Sequence, residues 1–286
     1  MTSQEEPTVA DNEQERAPRG IDTTRPSVSR VYDFILGGKD NYAVDREAAR
    51  RAMEVAPDAP EAARANREFL GRVVRFLAGE AGIRQFLDLG SGLPTQGNVH
   101  EIAQSVAPGA RVVYVDHDPI VLVHGRALLA VDDTTTVVEA DLLDPQAILH
   151  SPEVRRLIDF DRPVGLLMFG ILHHLADDHD PGGITRRLME RLAPGSYLAI
   201  SHFHNPGPAL PEVSQQAYSA ERIFNDTMGT GRWRFRDEIL AYFDGLELLE
   251  PGLVPLPEWR PDGQGQAKPG ITYHTFVGGV ARKPEA

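Results

Sequence analysis

The chain contains no cysteine. That excludes a disulfide framework, a thiolate zinc site and a cysteine nucleophile, and it suits a reducing compartment such as the cytoplasm. Long apolar runs are also missing: the longest, Val164 to Leu172, spans about nine residues, where a membrane helix needs roughly 20. The N-terminus is acidic and polar, unlike a signal peptide. A cytoplasmic protein without a membrane partner is therefore the expectation. Basic residues are in deficit, with 29 Lys and Arg against 42 Asp and Glu and a formal charge of -13. No basic cluster offsets this, which disfavours a nucleic-acid partner and leaves a small molecule as the expected one.

What is present fits one α/β domain with additions, the expectation for 286 residues. Residues 1–24 are rich in Glu, Asp, Gln, Thr and Pro with little apolar surface to bury, and read as a disordered tail. Residues 25–82 read as an N-terminal helical layer. A stripe of Val28, Val31, Tyr32, Ile35 and Leu36 stops at Gly37-Gly38, a second helix capped by Asp45 runs to about Val55, and a third from about Pro60 to Ala78 turns Phe69, Leu70, Val73, Val74 and Leu77 inward.

The organising stretch is Gln85 to Thr95. Phe86, Leu87 and Leu89 form a buried strand that reaches Asp88, Gly90, Ser91 and Gly92 before a helix opening near Asn98, with Val99, Ile102, Ala103 and Val106 on one face. The glycines free the backbone to turn and let a flat ligand approach. A dinucleotide would place a diphosphate here, and Asp88 repels it by like charge. S-adenosylmethionine carries an ammonium and a sulfonium and no phosphate, so the same carboxylate attracts it. A plain tight turn is the alternative use of two glycines.

Asp116 ends the next strand at the spacing of one βαβ unit, and a carboxylate there can accept both ribose hydroxyls. His117 follows it, and Asp118 reads as a turn acid before Pro119. Asp141 and Leu142 leave the third strand, placed for an adenine amine and ring, while Asp144 suits a helix cap. Val164 to Phe169 is an apolar fourth strand that breaks at Gly170. Strand five, Ser196 to Ser201, is followed by His202, Phe203, His204 and Asn205, then by an insertion at about 205–235 that would cap the substrate. Leu246 to Glu250 and Thr272 to Val280 close the sheet as an antiparallel pair, with the polar loop Glu258 to Pro269 between them.

His173 and His174 are candidate general bases, with a packed or capping role as the alternative. Being adjacent, they point about 100° apart on a helix and do not form the i, i+4 pair of a zinc site, so no metal is expected. Tyr42, Asn66, Arg67, His202 and His204 are candidates for the substrate side, and each is equally well read as a surface or packing residue.

Arg30-Val-Tyr-Asp-Phe-Ile-Leu-Gly-Gly-Lys-Asp-Asn-Tyr42, Asn66-Arg67 and Gln85-Phe-Leu-Asp-Leu-Gly-Ser-Gly-Leu-Pro-Thr95 resemble the bacterial S-adenosyl methyltransferase family, formerly a domain of unknown function, within the class I methyltransferases. The resemblance spans about Pro26 to Lys283. It implies a Rossmann-like, mostly parallel seven-stranded sheet with its last strand antiparallel and helices on both faces. It further implies Asp88 near the methionyl ammonium, Gly90 and Gly92 under the cofactor, with Leu89, Ser91, His117, Phe169 and Gly170 beside them, Asp116 on the ribose and Asp141 near the adenine amine. Pro94 stands where the wider class has a third glycine. The alternatives from other classes are a non-catalytic protein binding S-adenosylmethionine or S-adenosylhomocysteine, and an NAD-dependent oxidoreductase.

Overall fold

The structure is a computed structural model that describes residues 17–18, 20–94, 97–129, 133–263 and 270–285. Residues 1–16 and 19 of the expected tail, Thr95 of the glycine stretch and residues 264–269 of the late loop lie outside the described residues. Among the described residues no helix is long and apolar enough to cross a membrane.

Three helices precede the sheet: α1 (Val28–Ile35), α2 (Ala43–Val55) and α3 (Ala59–Gly79). The first ends as the glycine pair requires, with Gly37 at φ 84° and the Gly38 N–H donating to Asp33 O. Asp45 caps the start of α2 from within the helix. It sits in the first turn and accepts from the Tyr42 N–H at 2.8 Å, the Ser27 N–H at 3.0 Å and Arg30 Nε at 2.8 Å. The Arg30 side chain is 4% exposed and that of Asp45 0%, so this pair is a buried tie between α1 and α2. On α3, the expected inward face of Phe69, Leu70, Val73, Val74 and Leu77 is buried throughout.

The βα alternation then runs β1 (Gln85–Leu89), α4 (Val99–Val106), β2 (Arg111–Asp116), α5 (Pro119–Leu129), β3 (Thr135–Glu139), α6 (Pro145–His150), α7 (Pro152–Leu157), β4 (Gly165–Phe169), α8 (Pro181–Arg191) and β5 (Tyr197–Asn205). Glu101 accepts the Asn98 N–H ahead of α4, and Asp144 caps α6 through the Ala147 N–H. On α4, Val99 and Ala103 are buried while Val106 reaches solvent. After β5 come α9 (Pro211–Met228), β6 (Arg234–Phe235), α10 (Arg236–Leu240), β7 (Glu247–Leu248), β8 (Val254–Pro255) and β9 (Phe276–Arg282).

The main path of the sheet is β3-β2-β1-β4-β5-β9-β7, with β6 joined to β5 and β8 to β9. Strands β1 to β5 are parallel; β9 is antiparallel to β5 and to β7. The seven-stranded path and the antiparallel closing strand meet the expectation, while β6 and β8 are two-residue additions. Strand β5 runs four residues beyond the expected Ser201, because His202 through Asn205 keep pairing with β9 and β6. Residues 271–275 form a 3-10 turn rather than the start of the last strand.

Alternation along β1 sends Leu87 and Leu89 into the core beneath α6 to α8 and Phe86 into the core beneath α3 and α4. Asp88 shares the second face. The segment just before α1, grouped by composition with the tail, buries Ile21 against Leu93, Ile120 and Val121, with Tyr42 alongside. Ile21, with Ala17 beside it, docks a stretch that is polar on average.

Candidate functional site

Sharp turns at the tips of β1 and β4 build the site. Gly90 at φ 68° donates its N–H to Val115 O, and a Cβ there would lie 2.5 Å from Ile171 Cγ1, so the tips of β1 and β4 meet at a position only glycine fits. At Gly92, φ 67°, a Cβ would meet nothing within 4 Å among the described residues; its N–H donates to Asp116 Oδ2 at 2.9 Å. Asp116 Oδ1 accepts the Asp118 N–H at 2.9 Å. Asp116 thus joins the glycine turn, and burial raises its pKa against the pull of those two amides. Asp118 is the turn acid, accepting from the Ile120 N–H at 3.0 Å and from Ser27 Oγ.

Beside this turn lies a cleft lined by Arg67, Asp88, Ser91, Gly92, Tyr114 and Val121, among others. Asp88 is 5% exposed, yet among the described residues its carboxylate makes no hydrogen bond or ion pair. Burial pushes its pKa up to about 7, with Arg67 opposing and Asp116 reinforcing the rise. A buried carboxylate with no partner among the described residues is a group that a cation in the cleft would stabilise. Tyr114 also lines this cleft and was not singled out from the sequence. It pairs in register with Asp88 and lies two residues before Asp116 on the same strand face, which is the signal that identifies it. Its hydroxyl accepts the His100 N–H at 2.9 Å and lies 2.8 Å from His100 Nδ1.

The other cofactor-side candidates lie at neighbouring tips. His117 and Asp141 are exposed, and Asp141 accepts the Leu143 N–H at 2.9 Å. Leu142 turns into the core, and the Phe169 ring packs edge-on to Phe69, so β4 offers its tip through Gly170. Arg67 donates to Gly97 O at 2.9 Å across the glycine turn. Tyr42 packs with Ile21 beside Val121, under the Arg30 guanidinium.

A second group gathers at the tips of β4 and β5. Asn66 Oδ1 accepts from Ser201 Oγ at 2.7 Å and its Nδ2 donates to Tyr32 Oη at 3.2 Å, tying α3 to β5 and α1. A Cβ on Gly170 would come 3.6 Å from Asn66 Nδ2 and 3.8 Å from His173 Cε1. His173 is buried and stacked on Phe203 with centroids 3.6 Å apart, and its Nδ1 accepts the Phe203 N–H at 3.2 Å. The neutral ring therefore carries its proton on Nε2 and offers a donor, not a base. His202 lies inside β5, fully buried: Nδ1 meets Phe203 O at 2.6 Å and Nε2 meets Arg234 Nη1 at 3.3 Å, so both ring nitrogens are engaged. His204 Nδ1 meets His274 O at 2.7 Å, which leaves Nε2 as an acceptor. Among the described residues, His174 Nδ1 is buried without a hydrogen-bond partner.

Desolvation lowers the pKa of all four histidines: His202 to about 3, His174 to about 4, His173 well below its ordinary value, and His204 in the same direction. Of the four histidines, His174 and His204 keep a ring nitrogen able to take a proton, whereas His173 and His202 are committed elsewhere.

Parallel strands tipped by acids at β1 and β2, in this strand order with an antiparallel closing strand, define the class I S-adenosylmethionine-dependent methyltransferase fold. The chain belongs to the S-adenosyl methyltransferase family, whose model matches residues 14–284. Its cofactor is accordingly S-adenosylmethionine. A proposed methyltransferase from Thermobifida fusca YX is 47% identical over 94% of this chain and 98% of its own, with a TM-score of 0.87. A DUF574 family protein from Streptomyces avermitilis MA-4680 is 45% identical over 92% of this chain and 99% of its own, with a TM-score of 0.86. The fold alone is shared with an O-methyltransferase family 2 protein of Planctomyces limnophilus DSM 3776, solved with apigenin, at 17% identity, a TM-score of 0.50, and coverage of 84% of this chain and 66% of that one. A search of curated proteins returned no match.

Proposed function

We propose that the chain methylates a small-molecule acceptor seated at the tips of β4 and β5, beneath a cap formed by α9 and its flanking segments. The observation that carries the cofactor half is Asp88: a buried carboxylate, unpaired among the described residues, lines the cleft beside the glycine turn. That arrangement suits the ammonium of S-adenosylmethionine and disfavours a diphosphate, which weighs against NAD. Asp116, oriented by the Gly92 and Asp118 amides, would hold the ribose hydroxyls. Leu89, Gly90, Ser91 and Gly92 would form the cradle, and His117, Asp141, Leu142, Phe169 and Gly170 would border the adenosine.

S-adenosylmethionine, when bound, supplies a methyl group on a sulfonium leaving group. The chain has then to align an acceptor with that methyl, keep water away and take up the proton released if the nucleophile carries one. Asn66 and Gly170 border the position where the acceptor would sit. His173 would donate a hydrogen bond from Nε2, and His174 or His204 would accept the proton. Tyr42 and Arg67 belong to the cofactor side of the same opening.

A non-catalytic binding role is the second reading, favoured by the engagement of His173 and His202 in structural hydrogen bonds. Purified protein incubated with S-adenosylmethionine and fractionated small-molecule extract distinguishes the two. Methyl transfer accompanied by S-adenosylhomocysteine formation supports the enzyme; binding without product from any fraction supports the sensor. Transfer only to protein or nucleic-acid fractions removes the small-molecule acceptor.

A further inference from the structure

Residues 172–175 carry the two adjacent histidines on a short turn at the tip of β4, and every backbone carbonyl in it is held by one segment of the chain more than 50 residues away. Leu172 O accepts from Arg234 Nη1 at 3.2 Å, His173 O from the Arg232 N–H at 2.8 Å, His174 O from Thr230 Oγ1 at 2.5 Å, and Leu175 O from Arg234 Nη2 at 2.9 Å. The Arg234 guanidinium also meets Asp177 Oδ1 at 2.6 Å and His202 Nε2 at 3.3 Å. Arg234 itself is 6% exposed. An arginine fork suits this use, because its planar donors reach several acceptors at fixed angles.

The same segment is tied to the cap helix. Asn225 Nδ2 on α9 donates to Gly231 O at 2.9 Å, and Glu221 Oε2 on α9 accepts the Trp233 N–H at 2.8 Å. Trp233 stacks on Phe203 with centroids 4.2 Å apart, and the other face of the Phe203 contacts is the His173 ring. Hydrogen bonds and stacked rings thus link α9 to the histidine turn.

We propose that Thr230 to Arg234 is the coupling segment of this protein and Arg234 its positioning residue: it sets His173 and His174 over the β4 tip according to the position of α9. The proposal rests on the acceptor-side reading above for its purpose, while the coupling is testable without any acceptor. Arg234 acts through the histidine turn and is assigned no contact with substrate.

The test uses full-length protein labelled with ¹⁵N-histidine at pH 7.5, together with amide hydrogen exchange. In the parent protein His173 shows the Nε2-protonated tautomer and His202 the Nδ1-protonated one. Arg234→Gln is expected to leave both rings in mixed tautomers and to speed exchange in the peptide covering 171–176 by about tenfold or more, with the peptide covering 85–92 unchanged. Arg234→Lys is expected to restore part of the protection, and Thr230→Val, which removes one contact and spares the fold, to speed exchange over 171–176 by a smaller factor. Single tautomers and unchanged exchange in Arg234→Gln and Thr230→Val would overturn the proposal, as would equal loss of protection over 171–176 and 85–92, which marks general loosening. S-adenosylhomocysteine titrated into each variant separates this from the cofactor reading. Parent protein that fails to bind it overturns the latter, and the exchange pattern still decides the former.

Discussion

Gly92 donates its backbone N–H to Asp116 Oδ2 at 2.9 Å, so the acid at the end of β2 fixes the turn that follows β1. One carboxylate therefore shapes the turn and, in the proposed site, would also offer lone pairs to a ligand's hydroxyls. Asp116→Ala removes both, and affinity for S-adenosylhomocysteine is expected to fall by at least about 30-fold, on the order of 2 kcal/mol. Isothermal titration checks this, and full affinity in the variant removes the ribose assignment.

Asp88 gives a pH dependence with a defined sign. With a pKa of about 7 in the free protein, the carboxylate is mostly ionised at pH 8 and mostly protonated at pH 6, so binding that needs the anion weakens by about tenfold between them. Titrations at the two pH values measure it. Affinity that is flat, or that rises on acidification, contradicts the ammonium assignment.

The same shift predicts a stability effect in the free protein. The folded pKa lies above the ordinary 3.8, so the folded state binds more protons than the unfolded one across that interval, and stability from this group declines as pH rises from about 4 to about 7. Asp88→Asn removes the buried charge. The variant is expected to melt above the parent at pH 8 and level with it near pH 4, while losing the thermal shift given by S-adenosylhomocysteine. Thermal scans at both pH values test each half.

The histidines separate by role. His202 is wholly buried and bonded at both ring nitrogens, so His202→Ala is expected to cost about 2–4 kcal/mol of stability in urea melts by leaving a cavity and unpaired partners. His174→Ala is expected to cost less than about 1 kcal/mol and to act on turnover instead. Equal losses of stability would contradict the division.

Arg30 and Asp45 form the buried tie of the N-terminal layer. Arg30→Met leaves Asp45 buried without its cation and is expected to cost about 3–5 kcal/mol. The double variant Arg30→Met, Asp45→Asn is expected to recover part of it, because no charge is then stranded. Denaturant melts of the single and double variants measure the difference, and a single variant that is silent contradicts the tie.

The parts legible in the sequence are those written locally. The apolar run of β1, the glycine turn after it and the end of β2 are each written within a few residues, and the α3 core face follows from its 3.6-residue period. What stayed hidden depends on contacts across the sequence. Tyr114 faces the cleft only because β2 aligns it with Asp88. The Arg234 clamp joins segments about 60 residues apart, and no spacing rule announces it. His202 through Asn205 are polar enough to read as a loop, yet β9 and β6 supply partners that keep them in β5. Ile21 docks with few apolar neighbours in sequence, and an average over the segment conceals it.

Calorimetric titration of the purified chain at pH 8 with S-adenosylhomocysteine and, separately, with NADH is the most direct measurement. Saturable 1:1 binding of S-adenosylhomocysteine that is lost in Asp88→Asn, with no heat from NADH, is the result predicted. Binding of NADH, or binding of S-adenosylhomocysteine that is indifferent to the loss of the Asp88 charge, would contradict the account.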